Sequence, residues 1–500
     1  MIIKKKKISG AKALAVLLST ALLMSGGIAQ AENMPLSLAD SIDMALDTSD
    51  AIEASEAGRR AAKWTLSAAR HSTGPVVSWN SQAYKIGGRS YENANDAHDM
   101  YGDPHKETKL SVVGYTLFSD EPVISEQAVT VGAYPYHNTF ANSWNMTVPL
   151  YTGGKLEGQI RSSRYGLNRA DLTLERSRQT VRFQAAEAYA NLLHRLNLKR
   201  IAQQAVDMAN TQLKLINDQF SEGAVAKADV LMMEVRLANY RQNLVNSEAL
   251  MEVAESTLAN VVGLEQDTKI QPVDVFSYEP YDKDLAACEE YAMAHRPDGL
   301  AAEYVIKAAE AQTDTAKADY RPRVNGIVGH SRASNHPFGI ERNHTWEAGV
   351  GVSWNIFDNG ITEAGVQKSK ALEDQYRAEA RNLWKNIRLE TRSAYIEMKA
   401  AEANINTTAA AVKQAEESYN IAKVRYEEGV DILLSVTDAQ EKLTQAQSNY
   451  STALYQYNLY RANLEKAIGV PVELDPSIYV EAEQQGASAD EATRTAQLAQ

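Results

Sequence analysis

Only one cysteine, Cys288, occurs in 500 residues. A disulfide framework or a cysteine-based zinc site within one chain is therefore excluded. Proline (13) and glycine (27) are sparse, which argues against long low-complexity linkers. Basic residues number 51 against 64 acidic ones, a balance that argues against nucleic acid as the main partner. Mean hydropathy is −0.38, and beyond residue 31 no apolar run reaches the roughly 18 residues of a spanning helix. A polytopic helical membrane protein is excluded on that ground. A membrane β-barrel is not, because alternating strands leave little trace in mean hydropathy. Catalytic signatures are missing too: there is no HExxH, P-loop, GxSxG or dinucleotide fingerprint. The long acidic stretches supply carboxylate pairs without a clustered acid/base site, so neither an enzyme nor a cofactor is expected. Asp96, His98, Asp99, Asp103 and His105 carry donors that suit a divalent cation. A polar loop has the same composition, and no metal site is assigned.

What is present begins with an export signal. Lys4, Lys5, Lys6, Lys7 and Lys12 precede an apolar stretch at 13–24, and Ala29-Gln30-Ala31 has the small-x-small form of a cleavage site. The mature chain is expected to start at Glu32. Loss of those five lysines leaves 46 basic residues against 64 acidic ones. Cys288 stands at helical spacing with Leu285 and Ala292 and reads as a small core residue.

The rest of the chain is duplicated. At an offset of 206, Tyr151-Thr152-Gly153-Gly154 falls on Phe357-Asp358-Asn359-Gly360. Ala188-Tyr189 falls on Ala394-Tyr395, Phe220-Ser221-Glu222-Gly223 on Tyr426-Glu427-Glu428-Gly429, and Val262-Gly263 on Ile468-Gly469. Upstream the offset is 247, with Ala45 on Ala292 and Pro75 on Pro322. The expected organisation is a first repeat at 32–264, a linker at 265–283, a second repeat at 284–470 and a tail at 471–500 that ends in a disordered composition. The first repeat carries an insert of about 41 residues within 85–138, where 110–117 would add a short hairpin or lengthen the strands.

Each repeat reads as helix, strand, loop, strand, very long helix, tight turn, long helix. Single first helices are expected at 37–70 and 284–319. The stretch from Gly154 to Asp218 lacks proline and is rich in helix formers, and at 1.5 Å per residue it would reach roughly 100 Å. Residues 360–427 repeat it. Val230, Leu237, Leu244, Met251 and Leu258 recur every seven residues, as do Val436, Leu443, Tyr450, Tyr457 and Leu464. Ala439, Ala446, Ala453 and Ala467 fill the intervening positions. Such heptads predict coiled-coil packing.

Two segments alternate strictly. Trp346, Ala348, Val350, Val352, Trp354 and Ile356 alternate with Glu347, Gly349, Gly351, Ser353 and Asn355. Phe140, Trp144, Met146, Val148 and Leu150 follow the same parity, interrupted by Asn142. The strands after Pro75 and Pro322 are weaker. A sheet packed on a soluble core is one reading. The other is a lipid-facing barrel, which the long apolar face with tryptophan near both ends favours. The lipid-facing set is then Trp144, Val148, Trp346, Val350 and Trp354. Four strands cannot close a barrel, and an open edge cannot sit in lipid, so several chains are needed. Dimer and trimer both satisfy that requirement.

The signal, the duplicated hairpins, the long helices and the Gly-centred turns together resemble the TolC family of outer membrane efflux proteins, over roughly 36–470. The resemblance implies a helix-dominated membrane α/β barrel. Long coiled-coil helices would form a periplasmic tunnel, and four transmembrane strands per chain would close as a trimeric twelve-stranded barrel in outer membrane lipid. It also implies passive conduction of efflux or secretion substrates, with a periplasmic adaptor and an inner-membrane transporter as partners. A periplasmic coiled-coil adaptor or envelope structural protein is the alternative. On the family pattern, Gly223, Ala224 and Val225, with Gly429 and Val430, are the adaptor-docking tips. Asp229 and Tyr426 match positions that tether neighbouring helices, and Asp438 matches an acidic ring at the constriction. The family's well-studied members carry a basic residue where this chain has Asp431 and an acid where it has Ser435, which puts a gate closed by a salt bridge to Asp229 in doubt. Should Asp431 be helical, it would share a helix face with Asp438, seven residues on, and add to a cation-attracting gate.

Overall fold

The computed structural model describes residues 34–85, 88–115, 122–131, 139–334 and 344–472. The expected signal at 1–31, the start at Glu32 and nearly all of the tail lie outside the described residues. In chain order the elements are β1 (Met34–Leu36), α1 (Leu38–Thr48), α2 (Asp50–His71), β2 (Val76–Tyr84), α3 (Arg89–Tyr101), β3 (His105–Tyr115), β4 (Pro122–Val131), β5 (Thr139–Tyr151), α4 (Lys155–Ser221) and α5 (Lys227–Val261). There follow β6 (Ile270–Pro272), α6 (Leu285–His295), α7 (Pro297–Lys317), β7 (Arg323–Ser334), β8 (His344–Ser353), α8 (Ile361–Glu427) and α9 (Leu433–Ile468). The chain divides into two compact units. The first holds residues up to Arg59, 170–301 and from 380 on; the second holds 60–169 and 302–379.

In the first unit, α4 and α8 end 206 residues apart, at Ser221 and Glu427. Both stop the same way. Gly223 (φ 77°) and Gly429 (φ 71°) adopt the left-handed conformation that glycine tolerates. The amides of Ala224 and Val430 then reach back to the carbonyls of Gln219 and Arg425, at 2.9 and 2.8 Å, which satisfies helix-end acceptors.

The expected single first helices are each broken. Ser49 (ψ 119°) separates α1 from α2, and Arg296 (ψ 116°) separates α6 from α7. The two breaks are 247 residues apart, the upstream repeat offset. At Arg296 the cause is Pro297, whose ring disfavours the helical region for the residue before it. At Ser49 the carbonyl accepts from the amides of Ile52 and Glu53 and starts a new helix.

The heptad residues Val230, Leu237, Leu258, Val436, Leu443, Tyr457 and Leu464 are buried, as are Ala439, Ala446, Ala453 and Ala467. One core cluster joins α1, α4 and α5 through Ala45, Tyr189, Leu192 and Leu258. A second joins α6, α8 and α9 through Cys288, Ile387, Met398 and Tyr457. A third lies toward the turns, around Ile216, Val230, Met233 and Leu433. The linker at 265–283 is bound down along its length. Its strand β6 pairs in parallel with β1. Tyr189 Oη donates to Asp274 Oδ2 at 2.8 Å, Tyr278 Oη donates to Glu402 Oε1 at 2.8 Å, and Tyr457 Oη donates to the Glu279 carbonyl.

In the second unit β2, β5, β7 and β8 form one antiparallel sheet in that order, with β2 and β8 at its edges. The insert contributes helix α3 and a hairpin of its own, β3 with β4, which among the described residues pairs with neither sheet edge. Helices α4 and α7 approach closely at Gly158, where a Cβ would lie 2.3 Å from Thr315 Oγ1.

Candidate functional site

Directly opposite residues in an antiparallel ladder share a face, so the register defines two surfaces. On one, Trp79, Trp144, His330 and Trp346 form a row across all four strands. Below it come Val77, Met146, Val328 and Ala348, then Val148, Gly326 and Val350, then Tyr151, Val324 and Val352. Trp354 follows just past β8, where its Nε1–H donates to the Tyr320 carbonyl at 3.0 Å. Trp346 is 73% exposed, Val350 65% and Val352 69%. The opposite face carries Asn80, Ser143, Ser331 and Thr345, then Ser78, Asn145, Gly329 and Glu347. The interruption at Asn142 is part of a polar row, Ser81, Asn142, Arg332 and His344, beyond the tryptophans. All five residues assigned to the lipid-facing set therefore lie on or directly continue one apolar, aromatic-ended surface.

The helical turns bring most of the gate candidates into two small groups. Asp229 occupies the first turn of α5 and accepts from the Ala226 amide at 3.3 Å. Tyr426 Oη donates to Gln219 Oε1 at 2.8 Å. Burial, and then the nearby Asp229 charge, pushes its phenol up. Asp431 departs from expectation: α9 starts at Leu433, so Asp431 lies in the turn and shares no helix face with Asp438. It precedes the helix instead, one residue before the N-cap position held by Ile432. Its Oδ1 accepts from Ser435 Oγ at 2.7 Å and from the Ile432 amide at 2.8 Å, while Arg425 Nε lies 3.4 Å from Oδ2. The Ser435 hydroxyl, the Ile432 amide and Arg425 together hold the carboxyl below its usual range. Asp438 sits one turn into α9 and meets Arg236 of α5 at 3.5 Å; Arg236 also reaches Glu441 at 3.5 Å. Sequence reasoning missed Arg236, which stands 202 residues from Asp438. Of the tip residues, Gly223, Ala224, Gly429 and Val430 are exposed. Val225 packs on the third cluster.

The set of bonds at Asp431 has a pH signature. A carboxyl depressed by folding stabilises the folded tip above its ordinary pKa of about 3.9, and that contribution is lost as pH falls through the depressed value. Asp431→Asn should therefore lower amide-exchange protection at 432–436 relative to wild type at pH 7, and the difference should vanish in acid below the usual aspartate range. An undiminished difference in acid, or none at neutral pH, would count against a stabilising role for these bonds.

Arg296, 2% exposed, lies 2.5 Å from Glu390 and 2.9 Å from Asp298, and donates to the Ala467 carbonyl at 2.6 Å. His98 lies 3.5 Å from Asp103, and His105 lies 2.9 Å from Glu107. Among the described residues no group of three or more such side chains is arranged to hold a metal ion. No described helix is long and apolar enough to cross a membrane.

A sheet with one apolar and one polar face, carried on helical hairpins of 67 and about 35 residues, defines a channel built from barrel strands and coiled-coil helices. The chain belongs to the outer membrane efflux protein family, which it matches over 124–264 and 290–470. It is similar to the pyoverdine export outer membrane protein OpmQ of Pseudomonas aeruginosa, at 24% identity over 71% of this chain and 77% of the relative. It is also similar to the outer membrane protein TolC of Escherichia coli, at 23% identity over 61% of this chain and 64% of that one. Its fold matches the Campylobacter jejuni CmeC outer membrane channel with a TM-score of 0.70, at 17% identity and over 89% of both chains. The protein is thus an outer membrane channel for efflux or secretion, and its relatives are transport proteins rather than enzymes.

Proposed function

We propose that three copies of the chain close a twelve-stranded barrel, each sheet pairing its β8 edge with the β2 edge of a neighbour. The observation that carries this reading is the four-stranded sheet with two open edges and one apolar, tryptophan-ended face. Unpaired edges are not tolerated in lipid. Two copies would give eight strands, a number that side chains generally fill, whereas twelve leave the lumen a channel needs. Trp144, Val148, Trp346, Val350 and Trp354 then face lipid, and Ser78, Asn145 and Glu347 face water. The chain is organised as two repeats, 32–264 and 284–470, strapped by the linker at 265–283. A periplasmic adaptor docks at the tips formed by Gly223, Ala224, Val225, Gly429 and Val430, and an inner-membrane transporter in the same complex supplies the energy. The alternative of a coiled-coil adaptor gives no account of the two-faced sheet.

The gate lies at the same end, with Asp229, Tyr426, Asp431 and Asp438. Arg236 and Asp438 set its charge together. If Asp438 lines the constriction, each carboxylate is partly balanced by an arginine of its own chain. In planar-bilayer recordings under a KCl gradient, Arg236→Ala should move the reversal potential toward the K⁺ limit and strengthen divalent block. Asp438→Asn should move both the other way. Reversal potentials unchanged in both variants would remove Asp438 from the conduction path.

A further inference from the structure

The apolar face of the sheet ends differently at its two ends. At the end nearest the helices the last row of this face is Tyr151, Val324 and Val352, and Arg323, paired with Ser353 one residue beyond, belongs to the opposite face. At the loop end the tryptophan row contains His330, and the next row outward contains Arg332 and His344. The His330 ring stacks 6.2 Å from the Trp144 ring on one side and 5.7 Å from His344 on the other. Two imidazoles and a guanidinium therefore cluster on the adjacent strands β7 and β8, at the outer border of an apolar, tryptophan-lined band. Arg332 and His344 also make contacts within the chain. A guanidinium has five N–H donors, so it can serve a neighbour and a ligand together.

We propose that His330, Arg332 and His344 bind the anionic phosphate headgroup of an outer-leaflet lipid, while Trp144 and Trp346 pack beside its sugar and acyl chains. The proposal rests on the barrel reading above, which puts this face in lipid and the loop end of the strands outward. Three physical facts support it. Guanidinium forks match phosphate oxygens, and such charge-assisted bonds are about twice as strong as neutral ones. Tryptophan favours the interface between headgroups and hydrocarbon. Among the described residues, the Arg332 guanidinium and the two imidazoles share the apolar face itself at its loop end, which suits a headgroup of the outer leaflet.

The test uses the purified assembled wild-type protein in detergent micelles. It is offered lipid A carrying both phosphates, or the same lipid with the phosphates removed. Lipid retained per protein after gel filtration is read by mass spectrometry. Wild type should retain roughly tenfold more of the phosphorylated lipid, a difference of about one decade in affinity. The triple variant His330→Gln, Arg332→Gln, His344→Gln should lose that preference yet keep the uptake of the dephosphorylated lipid. Arg332→Gln alone should lose part of it, and Arg332→Lys should keep most of it. Millimolar inorganic phosphate should not displace the bound lipid; displacement would assign the cluster to free phosphate and overturn the lipid site. Equal retention of the two lipids by wild type, or an unchanged preference in the triple variant, would overturn it as well. Retention of neither lipid by wild type would instead overturn the barrel reading on which the site depends.

Discussion

Val350→Arg should cost about 2–4 kcal/mol of barrel stability, the range expected for a cation placed on the lipid face at mid-bilayer. Val350 lies in the third row of the apolar face, between the Trp346 belt and Trp354, and is 65% exposed in the isolated chain. On the barrel proposed above, that exposure is to hydrocarbon. The control is Gly351→Arg, one residue along and on the opposite face. A Cβ at Gly351 meets only Ile327 Cδ1, at 3.5 Å, an ordinary contact, and the guanidinium then points into water. The checking measurement is urea unfolding in lipid vesicles, with heat-modifiable trimer migration as a second readout. Loss at position 350 with tolerance at 351 is the expected pattern. Equal effects at both positions would sink the strand assignment.

Leu443→Ala should cost about 2–5 kcal/mol locally, the range for truncating a buried leucine to leave a cavity. Leu443 is 5% exposed and sits between Val436 and Tyr450 in the α9 heptad. Leu237, also 5% exposed, has the equivalent position on α5 and should behave alike. The loss should appear as reduced helical circular dichroism on mild heating and as faster tip-proximal proteolysis. Leu443→Glu is the harsher version, because a carboxylate placed there has no partner. If Leu443→Glu leaves helix content and trimer migration unchanged, the heptad register is wrong.

Much of this was legible in the sequence because two periodicities are nearly undisturbed. The alternation from Trp346 to Trp354 gives both the strand and its apolar face, and the heptads give the buried stripes of α5 and α9. The gap-free offset also placed Gly223 and Gly429 at equivalent turns. What stayed hidden depends on contacts across long sequence separations. In the sequence Tyr189 is only a repeat match and Tyr457 only a heptad position, yet their hydroxyls hold linker residues Asp274 and Glu279, 85 and 178 residues away, while the linker's own Tyr278 reaches Glu402. Arg236 shows no local sign that it meets Asp438. The breaks at Ser49 and Arg296 were missed for opposite reasons. Pro297 was a visible signal overlooked inside a helix-forming stretch, whereas Ser49 is a weak breaker that only tertiary context reveals. The cluster of His330, Arg332 and His344 emerges only when the register sets β7 beside β8. Asp431 lies two residues before the helix starts at Leu433, within the usual uncertainty of a helix start, so the condition under which it would share a face with Asp438 is not met.

The central claim is that the face bearing Val350 meets lipid while the face bearing Gly351 meets water. Spin labels placed one at a time at 345–353, in a Cys288→Ala background and in reconstituted vesicles, test it most directly. Collision with dissolved oxygen should peak at 346, 348, 350 and 352, and collision with a water-soluble nickel chelate should peak at 345, 347, 349, 351 and 353. Uniform access of the nickel chelate to all nine positions would contradict the account.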